Sequence, residues 1–251
     1  MTTQMFIQPN WPAPPWVKAY TTLRSGGVST APYHDFNLAM DIGDPPKHVE
    51  QNRLILQEKL QLPAEPIWIK QIHSDTVITA SVENKYKQAD ASFSKEQDQV
   101  CTVLTADCLP ILLCNRQGTF VAAIHAGWRG LNKGIIEKTV VAIQSEPDEI
   151  LAWLGPAISQ KHFEVGEEVR SSFIQQDPTA ESAFIPSESG RWLGDLYALA
   201  RLQLKKLGIT AIYGGEYCTF IDKDKFYSYR RDAQKTGRMA SLIWRCGSST
   251  I

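Results

Sequence analysis

Three strand-like segments, residues 100–105, 111–114 and 119–125, follow one another with no helical pattern between them. That succession breaks the strict strand–helix–strand alternation of a doubly wound parallel sheet. Further strand patterns lie at 67–70, 76–80, 150–154, 211–213 and 241–244, and Pro110 is expected to interrupt the strand before Ile111. Helices occupy the intervals. Asp44-Pro45-Pro46 opens one through KHVEQNRLILQEKL, with proline just inside its start and Pro63 closing it. Ile135, Ile136, Val140 and Ile143 share one face of a helix over 131–144. Val165, Val169 and Phe173 recur at i, i+4 and i+8, and residues 193–207 form a last helix stopped by Gly208. The prolines at 9, 12, 14 and 15 read as an extended arm, and 175–190, rich in Ser, Pro, Glu and Asp, as a surface loop. No linker or repeat divides the chain. The expectation is an α+β (mixed α/β) fold, with residues 1–251 as a single domain large enough to bury roughly three quarters of its unfolded surface.

The charge balance narrows the partners. Twenty-six Lys and Arg against 27 Asp and Glu give a net charge of −1, so the chain is not built around a field for nucleic acid or a membrane surface. No apolar run approaches the ~18 residues of a membrane span. The five cysteines are an odd number without regular CxxC spacing, which points to reduced thiols. Residues 1–16 carry no cationic and apolar leader pattern. A cytoplasmic location is expected.

Three segments place a metal-type ligand at the end of a strand pattern: Gln71-Ile72-His73-Ser74-Asp75, Thr105-Ala106-Asp107-Cys108-Leu109-Pro110, and Ile124-His125-Ala126-Gly127-Trp128-Arg129-Gly130. His73 and Cys108 are 35 residues apart, and Cys108 and His125 are 17 apart. Such gaps are too long for a zinc finger and suit strand ends gathered by a sheet. Two imidazoles and one thiolate make a three-ligand set, which for zinc leaves a position open to water or substrate. Taken singly, a histidine at a strand end or a cysteine in an apolar strand is more commonly structural.

Other candidates are weaker. The turn Thr22-Leu23-Arg24-Ser25-Gly26-Gly27-Val28-Ser29 could hold an anion on its backbone N–H groups and Arg24, although it matches neither a Walker nor a Rossmann pattern. Tyr229-Arg230-Arg231-Asp232 and Thr236-Gly237-Arg238 form the densest basic patch, and arginine forks suit phosphate. Cys218 is a lesser metal candidate.

The chain resembles the YfiH/YlmD family, once labelled polyphenol oxidase or laccase and now described as purine nucleoside phosphorylase. The resemblance rests on TTLRSGGVS with FNLAMDIGD, QIHSDTV, LTADCLPILL, AIHAGWRG, WLGPAIS with FEVGEEV, RWLGDLYALARLQL, and YSYRRD with TGRMASLIW, in family order along nearly the whole chain. It implies mixed sheets layered between helices, similar to the catalytic domain of CNF-type toxins. It implies zinc held by His73, Cys108 and His125. It also implies phosphorolysis of adenosine and inosine to the free base and ribose 1-phosphate, with cleavage of 5′-methylthioadenosine and deamination of adenosine. One departure is visible. Where family members read RRDGxTG, this chain reads Arg230-Arg231-Asp232-Ala233-Gln234-Lys235-Thr236-Gly237.

Chemistry and resemblance together assign roles. Arg24 with Arg230 or Arg231 would clamp phosphate, and Asn37 would orient the nucleoside. Asp107 would act as general acid/base or orient a ligating imidazole. The H-x-E and PCxxC patterns of known zinc deaminases are absent. Three rival readings stand: a copper polyphenol oxidase, for which five histidines are few; a cysteine hydrolase using Cys108 with a histidine base; and a non-enzymatic module with structural zinc.

Overall fold

The computed structural model describes residues 4–233 and 235–247. The leader reading of residues 1–16 therefore falls partly outside them, as does Gln234 of the family-divergent loop. In chain order the elements are strands β1 (Phe6–Ile7) and β2 (Val17–Thr22), helix α1 (Pro46–Leu60), and strands β3 (Val77–Thr79), β4 (Ala91–Ser94), β5 (Cys101–Thr105), β6 (Leu109–Asn115) and β7 (Val121–Ala126). Helices α2 (Trp128–Asn132) and α3 (Ile135–Ile143), strands β8 (Ile150–Leu154) and β9 (Glu164–Val165), and helix α4 (Glu167–Gln176) follow. Strands β10 (Phe184–Pro186) and β11 (Trp192–Gly194), helix α5 (Leu196–Lys206), and strands β12 (Ala211–Gly214) and β13 (Met239–Arg245) complete the order.

A six-stranded sheet has the order β12-β8-β6-β7-β4-β3, and a four-stranded sheet the order β1-β2-β13-β5. The two outer pairs of the larger sheet, β12 with β8 and β3 with β4, are parallel, while β8, β6, β7 and β4 pair antiparallel. Alternation along the strands sorts the core into layers. Ile111, Leu113, Ile124, Ala152 and Leu154 pack with Ile135, Val140, Leu199 and Leu204 of the helices. Their out-of-phase neighbours Leu112, Cys114, Ala123 and Trp153 pack with Val103, Met239 and Ile243 of the smaller sheet. That sheet's far face gives Ala240, Leu242 and Trp244 to Leu56 of α1 and to Phe36 and Leu38. The layers thus run α1, four-stranded sheet, six-stranded sheet, then α3 and α5. A mixed six-stranded sheet and a wholly antiparallel four-stranded one lie between the helices, the layering that was expected.

Several local expectations fail for physical reasons. The arm is not simply extended, because Phe6 and Ile7 pair with Thr22 and Thr21 of β2, a strand the pattern did not reveal. Residues 67–70 form only isolated bridges, Ile67 with Cys101 and Lys70 with Gln88. The 131–144 helix breaks at Gly134, whose φ of +83° is left-handed and costs glycine little. Val165 lies in β9, before α4 begins. The supposed surface loop buries Ala180, Ala183 and Phe184 and supplies β10, which pairs with β11. Leu193 belongs to β11, and the last helix starts after Asp195, whose carboxylate accepts from Ala198 N at 3.0 Å. Pro110 lies inside β6 opposite His125, beyond the reach of β8, where a missing N–H is tolerated; its carbonyl accepts from Gly155 N at 2.9 Å.

Candidate metal centre

The antiparallel register of β6 and β7 sets Leu109 against Ala126 and Pro110 against His125. One step further along that register, Cys108 meets Gly127. β4 lies on the other side of β7 and β3 beyond it, so the turn before β3, which carries His73, reaches the same sheet end. His125 has the parity of Val121 and Ala123, the face turned towards the smaller sheet. The result is that one donor atom from each of His73, Cys108 and His125 lies within 4.8 Å of the others. Cys108 Sγ is 3.9 Å from His73 Nε2, and the two imidazoles meet edge-on with centroids 4.8 Å apart. His125 is buried, Cys108 half-buried and His73 exposed. The centre is therefore open on the His73 side.

Gly127 makes this closeness sterically feasible. A Cβ there would stand 2.9 Å from Cys108 Sγ and 3.3 Å from His73 Cδ2. Electrostatics favour the ligating thiolate at Cys108, whereas at His125 they favour the protonated imidazole, which must release a proton to bind a metal. Burial alone would raise the Cys108 thiol, but the adjacent His125 and His73 outweigh it and lower its pKa. Burial likewise disfavours His125 as a cation, and Cys108 together with Asp90 more than reverses this, raising its pKa. Two imidazoles and a thiolate at this spacing fit zinc, a borderline-soft ion held by N and S donors. By contrast, burial pushes the thiols of Cys101 and Cys114 up to about 12, so both are inert core residues.

The carboxylate on the imidazole is Asp90, not Asp107. Asp90, fully buried just before β4, places Oδ1 2.8 Å from His125 Nδ1. Burial raises its pKa, and the hydrogen bonds from His125 and Ser74 overcome that to bring it to about 2. Nothing in Lys87-Gln88-Ala89-Asp90-Ala91 marks this role in the sequence. Asp107, at φ +86° beside Cys108, instead accepts from Thr219 Oγ1 and from Arg230 N, both at 2.7 Å. It ties the C-terminal segment to the centre.

The expected substrate contacts divide. Asn37 is fully buried: it donates to Ala39 O and Asp44 Oδ2 and accepts from Ala39 N and Arg238 N. It cannot orient a nucleoside, because its groups are consumed by the fold. The Arg231 guanidinium is spent on Asp232 and on the carbonyls of Thr219, Phe220 and Phe226, which removes it as a phosphate clamp. Arg230 is exposed and gives one N–H to Glu164 O at 3.0 Å while lying over the Phe163 ring. Arg24 donates to Lys223 O at 2.8 Å and lies over Tyr227. The turn after Arg24 does not cradle an anion, since Val28 N donates to Asn52 and Ser29 N to Asp35 O. Arg238, noted only as part of a basic patch, is a closer cation: burial lowers its pKa, and the charges of Cys108 and Asp107 act on it. Its Nη1 donates to the carbonyls of Thr236 and Gly237. Cys218 lies apart from the cluster and accepts from Ser159 Oγ at 3.0 Å. Ala233, at the family's glycine position, adopts φ +48°, a left-handed backbone.

The family model for multi-copper polyphenol oxidoreductase laccase matches residues 18–246. A Pseudomonas aeruginosa protein named purine nucleoside phosphorylase is 50% identical over 240 residues, 95% of this chain and 98% of that protein. The Escherichia coli protein named purine nucleoside phosphorylase YfiH is 49% identical over 95% of this chain and 98% of its own length. Among solved structures, a Neisseria meningitidis protein superposes with a TM-score of 0.92 at 48% identity, covering 97% of this chain and all of its own. YlmD from Geobacillus stearothermophilus superposes with the same TM-score at 26% identity, covering 98% of each chain. On matches that span nearly its whole length, the chain belongs to the YfiH/YlmD family, which the laccase model describes.

Proposed function

We propose that the chain is a zinc-dependent purine nucleoside phosphorylase, cleaving adenosine or inosine, and 5′-methylthioadenosine, with inorganic phosphate to the free base and the sugar 1-phosphate. The observation that carries the metal is the convergence of His73, Cys108 and His125. The reaction class is supported by the names of relatives half identical over nearly the full chain. A bound zinc would supply Lewis-acid stabilisation of developing negative charge. The same donors would accept copper. Multi-copper oxidation needs several centres, and among the described residues this is the one such cluster.

Phosphorolysis joins a phosphate oxygen to C1′ and breaks the bond from C1′ to the purine nitrogen, whose electron pair leaves with the base. The chain's part is to hold phosphate and exclude its repulsion. Arg230, Arg24 and Arg238 retain N–H groups free of the hydrogen bonds described above and provide the cationic lining. Asp107 fixes Arg230 through its backbone N–H, and both its oxygens already accept hydrogen bonds. We therefore assign it positioning rather than proton transfer. Deamination would require a separate proton carrier at the base, and no residue described above is free to fill that role.

The test is base release from adenosine and inosine by zinc-loaded protein, with and without phosphate. Phosphate-dependent release that falls together with zinc content in Cys108→Ala is expected. Full activity in that variant, or release independent of phosphate, would overturn the reading. Inactivation of the zinc-loaded protein by thiol alkylation would favour the cysteine hydrolase instead.

A further inference from the structure

Five donors converge on the carboxylate of Asp90. Oδ1 accepts from His73 N at 3.0 Å and lies 2.8 Å from His125 Nδ1. Oδ2 accepts from Ile72 N at 3.2 Å, and from Ser74 N and Ser74 Oγ at 2.6 Å each. The residue is fully buried. Three successive backbone N–H groups, those of residues 72, 73 and 74, thus point at one anion, the arrangement of a backbone nest.

This matters because of the backbone that carries His73. Its φ is +57°, a left-handed conformation that a residue with a Cβ adopts only when its surroundings enforce it. The nest around Asp90 supplies that enforcement. The same carboxylate oxygen that takes the His73 N–H faces His125 Nδ1. An Nδ1–H donated to a carboxylate leaves Nε2 as the lone-pair nitrogen, which is the form a metal needs. His73 and His125 are 52 residues apart, yet one side chain sets the backbone of the first and the tautomer of the second.

We propose that Asp90 is a positioning residue that assembles both histidine ligands before any metal arrives. The inference rests on the metal part of the reading above, not on the reaction. Capture then requires the Cys108 thiolate and release of any proton on His125 Nε2, and loss of Asp90 disturbs two ligands at once. Asparagine is not a neutral replacement. It offers one acceptor oxygen and turns an NH2 towards either the turn or the imidazole, both of which present donors.

The experiment compares wild type with Asp90→Asn and Ser74→Ala. Zinc affinity is read by chelator competition. The His125 tautomer is read by imidazole nitrogen NMR of metal-free protein. Amide exchange at His73 is read in wild type with and without zinc. Asp90→Asn is expected to lose about tenfold to a hundredfold in zinc affinity, and Ser74→Ala to lose less. In metal-free wild type, His125 Nδ1 should carry a proton hydrogen-bonded to Asp90, and the His73 amide should be as protected as with zinc. Zinc affinity in a folded Asp90→Asn within twofold of wild type would overturn the proposal. So would an unprotected His73 amide in metal-free wild type, a result that needs no variant to fold. Wild type that fails to bind zinc would sink the metal reading instead, while the tautomer and exchange data would still judge Asp90.

Discussion

Replacing Gly127 by alanine should damage the metal centre while leaving the fold nearly intact. Gly127 has φ −64° and ψ 160°, ordinary extended backbone that alanine adopts freely. The added methyl is the whole perturbation. It would lie 2.9 Å from Cys108 Sγ, 3.3 Å from His73 Cδ2 and 3.6 Å from Cys108 Cβ. A comfortable carbon contact needs ~3.5–4.0 Å, so the sulfur is too close by about 0.6–1 Å. Cysteine has a single side-chain torsion. Its sulfur can turn away, which removes it from the cluster, or stay under compression. Metal–ligand distances tolerate only about ±0.2 Å. Overpacking of this kind costs ~1–3 kcal/mol, partly offset by the ~0.4–1 kcal/mol that alanine gains through a less disordered unfolded chain. A net loss near 1–2 kcal/mol lowers the Tm of a chain this size by only a few degrees. If the strain falls on the bound state, zinc affinity drops by about tenfold to a hundredfold, since 1.4 kcal/mol is a factor of ten. Chelator competition, thermal melting with and without zinc, and base release measure the three effects. Zinc affinity within twofold of wild type in Gly127→Ala would refute the reasoning, because the donors could not then be as crowded as the register requires.

Asn37→Ala should cost about 2–4 kcal/mol in urea unfolding, since it removes one of the two hydrogen bonds to Asp44 Oδ2 and leaves the Ala39 groups and Arg238 N without the Asn37 amide in a buried site. Arg230→Ala should raise the KM for phosphate with little change in stability, whereas Arg231→Ala should destabilise the chain by freeing the carbonyls of Thr219, Phe220 and Phe226; steady-state kinetics beside melting curves separate the two. Acid should weaken the metal-free protein through Asp90. Its pKa is depressed from 3.8 to about 2, so its contribution is present above pH ~4 and disappears as pH falls towards 2, a loss of about 2 kcal/mol. Unfolding at pH 5 and pH 2.5 in the presence of chelator should show that limb in wild type and a flatter one in Asp90→Asn.

The layered architecture was legible where side-chain period decides the environment. Strands β6, β7 and β8 are apolar on both faces because each face meets a different layer, and α3 shows its buried stripe plainly. What period could not convey was pairing. Phe6–Ile7 is too short to show alternation and is a strand only because β2 lies beside it. Residues 67–70 look like a strand but find only single bridges. Ser, Pro and Glu in 175–190 suggested solvent, yet Ala180, Ala183 and Phe184 are buried there because the 3-10 turn over Pro178–Ala183 leads directly into β10. Composition reports the exposed majority of a segment and hides the few residues that anchor it.

The centre divides along a similar line. His73, Cys108 and His125 could be proposed from sequence because imidazole and thiolate are scarce at strand ends, and the β6–β7 register then brings two of them together. The groups that orient them are common residue types in common places. Asp107 was the natural choice for holding an imidazole because it adjoins Cys108, but both lie in the bend between β5 and β6, where neighbouring side chains need not face the same way. Its left-handed φ turns it towards Thr219 and Arg230. Asp90 has no sequence link to any ligand. It reaches His125 because β4 pairs with β7, and it reaches His73 because the turn before β3 folds over the start of β4. Asn37 misled for the opposite reason: a polar residue in a family motif reads as a contact, whereas here its amide secures the backbone N–H of Arg238. A change at Asn37 should therefore alter phosphate binding through Arg238 without moving zinc affinity, and a change at Asp90 should do the reverse.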